Sequence, residues 1–217
     1  MEPFRILEMP AITLPLTNVD TDQLIPARVL RRSRAEGYGP CLLHDLRHDA
    51  AGAPLANPLD DVSRAGAALL IARRNFGCGS SREAAVYALM DFGFRCVVAP
   101  SFGDIFASNA VKNGLLPARV SSEDAEALLA SLAVAEGRAV RIDLEAQTVS
   151  IGNLVASFEI DPVWKTQLLH GWDDVDFTLR EQSRIEAFRA RDSATRPWAV
   201  PGRLAGFSRR IDEEWRR

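Results

Sequence analysis

The chain has 217 residues, a formal net charge of −3 and 47% apolar residues. That length accommodates one core of ordinary size, and that charge argues against nucleic acid or an anionic membrane as partner. No apolar run approaches the roughly 20 residues needed to cross a bilayer, and Met1-Glu2-Pro3-Phe4-Arg5 lacks the basic-then-apolar form of a signal peptide, so a cytoplasmic protein is expected.

Residues 4–16 alternate loosely and end in Thr13-Leu14-Pro15-Leu16, which predicts a strand. Asn18-Val19-Asp20-Thr21-Asp22-Gln23-Leu24-Ile25-Pro26 follows as a polar turn. Its side chains either satisfy their own backbone or aim a pair of acids at a site. Residues 27–36, with Arg28, Arg31, Arg32 and Arg34, read as a short basic helix with a solvated face, broken by Gly37-Tyr38-Gly39-Pro40. Residues 40–66 are irregular and carry Pro54 and Pro58; a segment of this kind is often a functional loop or lid.

The apolar run Ala67-Ala68-Leu69-Leu70-Ile71-Ala72 predicts a buried strand, which turns into a helix through Asn75-Phe76-Gly77-Cys78-Gly79-Ser80-Ser81-Arg82-Glu83. Gly77 and Gly79 allow backbone angles that other residues resist and let a ligand approach closely. Ser80, with Glu83 three residues on, has the spacing of a capping box. A helix N-terminus attracts anions, and Arg82 can fork onto a carboxylate. The stretch therefore reads as an anion site with a serine hydroxyl beside it, or as a capped helix after a tight turn. It is neither a phosphate-binding P-loop nor a nucleophile elbow, because the required lysine and Gly-x-Ser-x-Gly are absent.

Phe94-Arg95-Cys96-Val97-Val98-Ala99 predicts a second strand. A helix follows, with Ser101 as cap, Asp104 in its first turn and Gly114 as its stop, and then a third strand after Leu115-Leu116-Pro117. Strand–helix alternation over residues 67–120 argues for parallel pairing. An amphipathic helix starts at Ser122 and ends near Gly137. Three runs, Ala139 to Leu144, Thr148 to Ile151 and Leu154 to Ile160, predict an antiparallel meander. Asp161-Pro162 caps a further helix with Gly171 after it, and a last helix covers about Thr178 to Arg191. The expected organisation is one domain over residues 1–195 and an extended tail over 196–217.

Cys41, Cys78 and Cys96 contain no Cys-x-x-Cys, so no zinc ribbon, cluster-binding run or disulfide framework is encoded. His44, His48 and His170 do not form a ligand set by spacing, and no metal site is expected in this chain.

Three stretches together carry a family resemblance: Asn18 to Pro26, Gly77-Cys78-Gly79-Ser80-Ser81-Arg82-Glu83, and Ser101-Phe102-Gly103-Asp104-Ile105-Phe106 with Lys112-Asn113-Gly114-Leu115-Leu116-Pro117. They resemble the swivel domain of the aconitase superfamily, in the form found in small subunits of 3-isopropylmalate dehydratase. Ile160 to Asp174 is similar to a further segment of the same family, and the resemblance covers about residues 4–191. It implies an α/β fold, a three-layer β/β/α swivel domain with mixed parallel and antiparallel strands. It also implies a hydro-lyase of leucine biosynthesis that isomerises 2-isopropylmalate and 3-isopropylmalate through isopropylmaleate. By the same match, Ser80 is the proton-abstracting base, Ser81 and Arg82 hold a substrate carboxylate, and Asp22 belongs to the active site. Residues 37–48 correspond to the region near the substrate's variable side chain. The implied partner is a large subunit carrying a [4Fe–4S] cluster, with a small-molecule diacid as substrate.

One departure stands inside the second motif. The family usually has His after Ser-Arg-Glu, then Ala-Pro-Trp, where this chain has Ala84 and then Ala85-Val86-Tyr87. Two alternatives stay open: a related dehydratase small subunit acting on a methylmalate-type or dimethylmalate-type diacid, and a non-catalytic paralogue that binds a diacid or a large subunit. A nucleotide-binding α/β protein lacks its Gly-x-Gly-x-x-Gly.

Overall fold

The computed structural model describes residues 1–60, 66–134 and 138–199. Seven strands form one hydrogen-bonded sheet: β1 (Ile6–Leu14), β2 (Leu69–Ala72), β3 (Cys96–Ala99), β4 (Leu116–Arg119), β5 (Ala139–Asp143), β6 (Thr148–Ile151) and β7 (Leu154–Ser157). Their order is β4-β3-β2-β1-β5-β6-β7. β1 belongs to both halves. Its residues Ile6 to Pro10 pair antiparallel with β5, and Ala11 to Leu14 pair parallel with β2. Pro10, with no N–H to offer, stands at the changeover. β2, β3 and β4 continue in parallel, while β5, β6 and β7 form the expected antiparallel meander.

The helices are α1 (Thr21–Leu24), α2 (His44–Arg47), α3 (Glu83–Phe92), α4 (Asp104–Asn113), α5 (Ser122–Val134), α6 (Pro162–His170), α7 (Asp174–Leu179) and α8 (Gln182–Thr195). Alternation with period two sorts the parallel strands onto two cores. Ile12, Leu14, Leu70, Ala72, Val97 and Ala99 pack with Ala85, Val86 and Leu89 of α3 and Phe106 and Ala110 of α4. Ala11, Leu69, Ile71, Cys96, Val98, Leu116 and Ala118 pack with α5 and with Val140, Ile142, Val149 and Ile151 of the meander. Helices, parallel strands and antiparallel strands thus follow one another as the expected three layers. The sheet curls until its far edges touch. Arg119 and Glu159 exchange backbone bonds of 3.3 and 2.7 Å, and their side chains form a 2.6 Å ion pair.

The chain divides into two compact units at Asp173/Asp174. Of the second unit, α7, α8 and a 3₁₀ turn, Pro197–Ala199, are described. Where one last helix was expected there are two, separated at Arg180–Glu181. The expected end of α5 near Gly137 and most of the expected tail lie outside the described residues.

The basic stretch after Pro26 is not one helix but two 3₁₀ turns, Ala27–Arg31 and Arg34–Glu36. Three of its four arginines have ion-pair partners, Arg32 with Glu36 at 3.1 Å among them. Arg34 ion-pairs with Asp91 at 2.6 Å and lies over the Tyr87 ring, and Arg28 pairs with Asp45. Of the irregular stretch that follows, residues 40–60 hold anchors to the core. Leu42, Leu43 and Leu59 are in the core. Arg47 is almost fully buried, donating to Leu42 O at 3.0 Å and ion-pairing with Asp60. Apolar residues spaced without a period still found the core, which periodicity cannot predict.

Candidate functional site

The glycine loop leaves the C-terminal end of β2, where open parallel sheets place their ligand sites. Two neighbouring loops grip it. From one side, Phe76 donates to Ser101 O at 3.0 Å, Gly103 donates to Phe76 O at 2.9 Å, and Asn75 N–H donates to Ser101 Oγ at 2.8 Å. Ser101 is therefore a brace for the loop and not the cap of α4, whose N-cap is Gly103 with no side-chain bond. From the other side, Gly77 donates to Val19 O at 2.7 Å and Asn75 Nδ2 donates to Asn18 Oδ1 at 2.9 Å. Asn18 and Asn75 both have positive φ, at 55° and 62°, a region asparagine tolerates. Gly77 has φ 71°, and a Cβ there would lie 2.2 Å from the Phe106 ring, so this position admits glycine alone.

The aspartate motif is carried on α1. Asp20 caps it: Gln23 N–H donates to Asp20 Oδ1 at 2.7 Å and Asp20 N–H to Gln23 Oε1 at 3.0 Å, a reciprocal capping box. That spacing was readable in the sequence. The cap directs Thr21 and Asp22 at the glycine loop. Thr21 N–H donates to Cys78 O at 2.9 Å, and Thr21 Oγ1 donates to Ser80 O at 2.8 Å. Asp22 accepts an ion-paired bond from Arg82 Nη1. Two motifs sixty residues apart in sequence thus meet through charge and hydrogen bonds.

Ser80 and Ser81 are exposed, Asp22 is exposed, and the Arg82 side chain is four-fifths buried. Ser80 does not cap the helix. α3 begins at Glu83 with Arg82 as N-cap and no side-chain cap bond. Glu83 does not close a capping box either; its Oε1 accepts from Asn113 Nδ2 at 2.9 Å. The physical reason is that Ser80 sits too far upstream, its carbonyl held by α1. The first N–H groups of α3 consequently have no side-chain cap from Arg82. Ala84, where the family usually has His, is half-buried against the core.

The residues 37–48 join this region through α1, since Leu43 N–H donates to Leu24 O at 3.0 Å. Arg28, Arg32, Cys41, His44 and His48 line a cavity of about 450 Å³. The two imidazoles stack with centroids 4.3 Å apart. The Arg28 guanidinium bonded to Asp45 pulls that carboxyl down to about 2. Arg47 likewise lowers Asp60.

The cysteines do not fit an iron–sulfur cluster. Cys41 and Cys96 are buried, Cys78 is in the glycine loop, and the three stand on separate elements. Burial in the apolar core pushes the Cys96 thiol up, far from thiolate character. Among the described residues no three His, Cys, Asp or Glu side chains are grouped to hold a metal, and no helix is long and apolar enough to cross a membrane.

Comparison with known proteins agrees with this fold. The aconitase C-terminal domain profile matches residues 11–123, and a LeuD_N profile matches residues 126–162. The 3-isopropylmalate dehydratase small subunit of Rhodospirillum centenum is 43% identical over 203 residues, covering 92% of this chain and 100% of that protein. The protein of that name from Leptospira interrogans is 44% identical over 203 residues, covering 91% and 98%. The crystal structure of 3-isopropylmalate dehydratase (leuD) from Methanocaldococcus jannaschii aligns with a TM-score of 0.60 at 27% identity, covering 85% of this chain and 99% of that one. With its fold, its glycine loop and these relatives in agreement, the chain belongs to the 3-isopropylmalate dehydratase small-subunit family.

Proposed function

We propose that this chain is the acid–base and carboxylate-clamping half of a hydro-lyase that interconverts 2-isopropylmalate and 3-isopropylmalate, acting in the cytoplasm with a large subunit. The observation that carries this reading is the meeting of Arg82, Asp22 and the Ser80 main chain at one exposed spot. A charged, uncapped helix start left open to solvent is half of a site. The other half then belongs to a partner surface that closes over it and excludes water.

In this reading Asp22 holds the Arg82 guanidinium by one nitrogen. The remaining donors of its fork stay available for a substrate carboxylate. Ser81, next in the chain and exposed, adds a hydroxyl to that clamp. Ser80, as alkoxide, takes the proton from the carbon that becomes part of the double bond. A free serine is a weak acid, so its anion needs the positive end of α3 and Arg82 nearby. The [4Fe–4S] cluster is assigned to the large subunit, where it supplies Lewis acidity toward the hydroxyl that leaves. The cavity of Arg28, Arg32, Cys41, His44 and His48 is assigned to the substrate's variable group.

The test is reconstitution with the cluster-bearing large subunit, followed by assay across isopropylmalate, methylmalate-type and dimethylmalate-type diacids. Turnover with isopropylmalate at the highest kcat/KM supports the reading. Neighbouring substrates differ by methyl and methylene groups, so discrimination of about 10–200-fold is expected. No turnover of any diacid by a properly assembled complex would move the chain to a non-catalytic role.

A further inference from the structure

Thr21 is one of the few polar residues in the buried interior, with 1% of its surface exposed. An apolar residue of the same shape fills such a place without a polar atom to satisfy. What the hydroxyl does is visible in its bond: Oγ1 donates to the carbonyl of Ser80 at 2.8 Å. Its own N–H donates to Cys78 O at 2.9 Å. The two bonds straddle Gly79, which turns with φ 91°; a Cβ there would lie 3.4 Å from Asp20 Cβ and 3.6 Å from Thr21 Oγ1. α1, closed by the Asp20–Gln23 box, holds Thr21 against the loop on both flanks of that turn.

We infer that Thr21 is the positioning residue of the reaction: its hydroxyl fixes the Ser80 main chain and so the direction of the Ser80 side chain. This rests on the proposed role of Ser80. Ser80 is an exposed residue, and its main chain sets the direction of its Cα–Cβ bond. Direction has to come from the backbone. Gly79, with no Cβ, is the most permissive residue at that point and leaves the turn free to swing without an outside tether. Arg82 is tied to Asp22 on the same α1, so both ends of the Ser80–Arg82 segment are referred to one short helix. Thr21 contacts no reacting atom in this arrangement; it acts through Ser80.

The experiment compares Thr21→Val, Thr21→Ser and Ser80→Ala in the complex reconstituted with the large subunit. Thr21→Val keeps the shape and deletes the donor. The bond to the Ser80 carbonyl is only part-buried, so its loss should lower Tm by no more than about 2–4 °C. kcat should fall by roughly ten- to a hundred-fold, the scale of a misplaced reacting group, with KM changed little. Thr21→Ser keeps the donor and should restore most of kcat. A merely structural role predicts the reverse: Tm tracks the loss of packing, Thr21→Ser is worse than Thr21→Val, and kcat holds in both. Unchanged kcat in Thr21→Val beside a dead Ser80→Ala overturns the positioning role alone. Near-normal turnover in Ser80→Ala overturns the base assignment and this inference with it.

Discussion

At the scale of single residues, the clamp and the base separate in kinetics. Ser80→Ala removes the proposed base from an exposed position that does not cap α3, so stability should change by less than about 0.5 kcal/mol while turnover is lost. Arg82→Lys keeps the charge but replaces a planar fork by a point charge that cannot hold Asp22 and a substrate carboxylate together. Its damage should fall on KM as well as kcat, whereas Ser80→Ala falls on kcat. Steady-state kinetics with parallel melting curves decide this, and normal turnover in either variant removes that residue from the machinery. Asp45 makes a pH prediction. Its folded pKa, about 2, lies below the ordinary 3.8, so the contribution of its pairing to Arg28 is complete above about pH 4 and lost as pH falls toward 2. Both side chains are more than half exposed, so that contribution is small and screened by salt. Arg28→Ala should return the Asp45 carboxyl to the usual aspartate range in a carbon-detected NMR titration; an unmoved midpoint would show that Arg28 is not the cause.

At the scale of elements, the glycine loop and the helix starts respond differently to substitution. Gly77→Ala places a methyl into the Phe106 ring on a backbone of positive φ, and Phe106 is itself wedged between Phe76 and Phe102. The cost should be roughly 2–5 kcal/mol in urea unfolding, from strain and overpacking combined. A loss under about 1 kcal/mol would mean the ring has somewhere to go. α6 is a contrasting case, because Asp161 there accepts from both Val163 N–H and Trp164 N–H. Asp161→Ala should cost about 1 kcal/mol, while the same change at Ser80 costs nothing of the kind. The difference is that Asp161 caps α6 through two N–H groups, whereas α3 starts without a side-chain cap.

At the scale of the whole molecule, the chain is a scaffold that carries the proposed half-site. Its parallel strands are covered on both faces, by α3 and α4 on one and by the meander with α5 on the other. That burial keeps the C-terminal ends of β2 and β3 rigid, and the loops after them lock to each other through Ser101. A rigid platform costs little to order when a partner docks, which favours assembly. The purified chain alone should be colourless, and it should gain activity only on mixing with the large subunit. One cluster per chain after anaerobic purification, with its visible absorbance, would refute the assignment of the cluster to the partner.

Much of this protein was determined by the sequence on its own, because the signals were local. Short apolar runs marked the central strands, Gly114 and Gly171 marked helix ends with positive φ, and Asp161-Pro162 marked the start of α6. The three motifs identified the family together, and in the glycine loop Gly77 is fixed by its positive φ and by the Phe106 ring against it. Tertiary structure decided what depends on distance in sequence. Ser80 followed by Glu83 has the spacing of a capping box, yet Thr21 holds the Ser80 carbonyl from 59 positions away and α3 starts later. Ser101 reads as a cap and is spent instead on Asn75. The arginines after Pro26 read as a solvated helical face, but Asp45 and Asp91 draw two of them into separate turns. At Ser101 a short-range cap worth about 1 kcal/mol competed with a long-range bond of similar strength to Asn75, and the long-range bond is the one made.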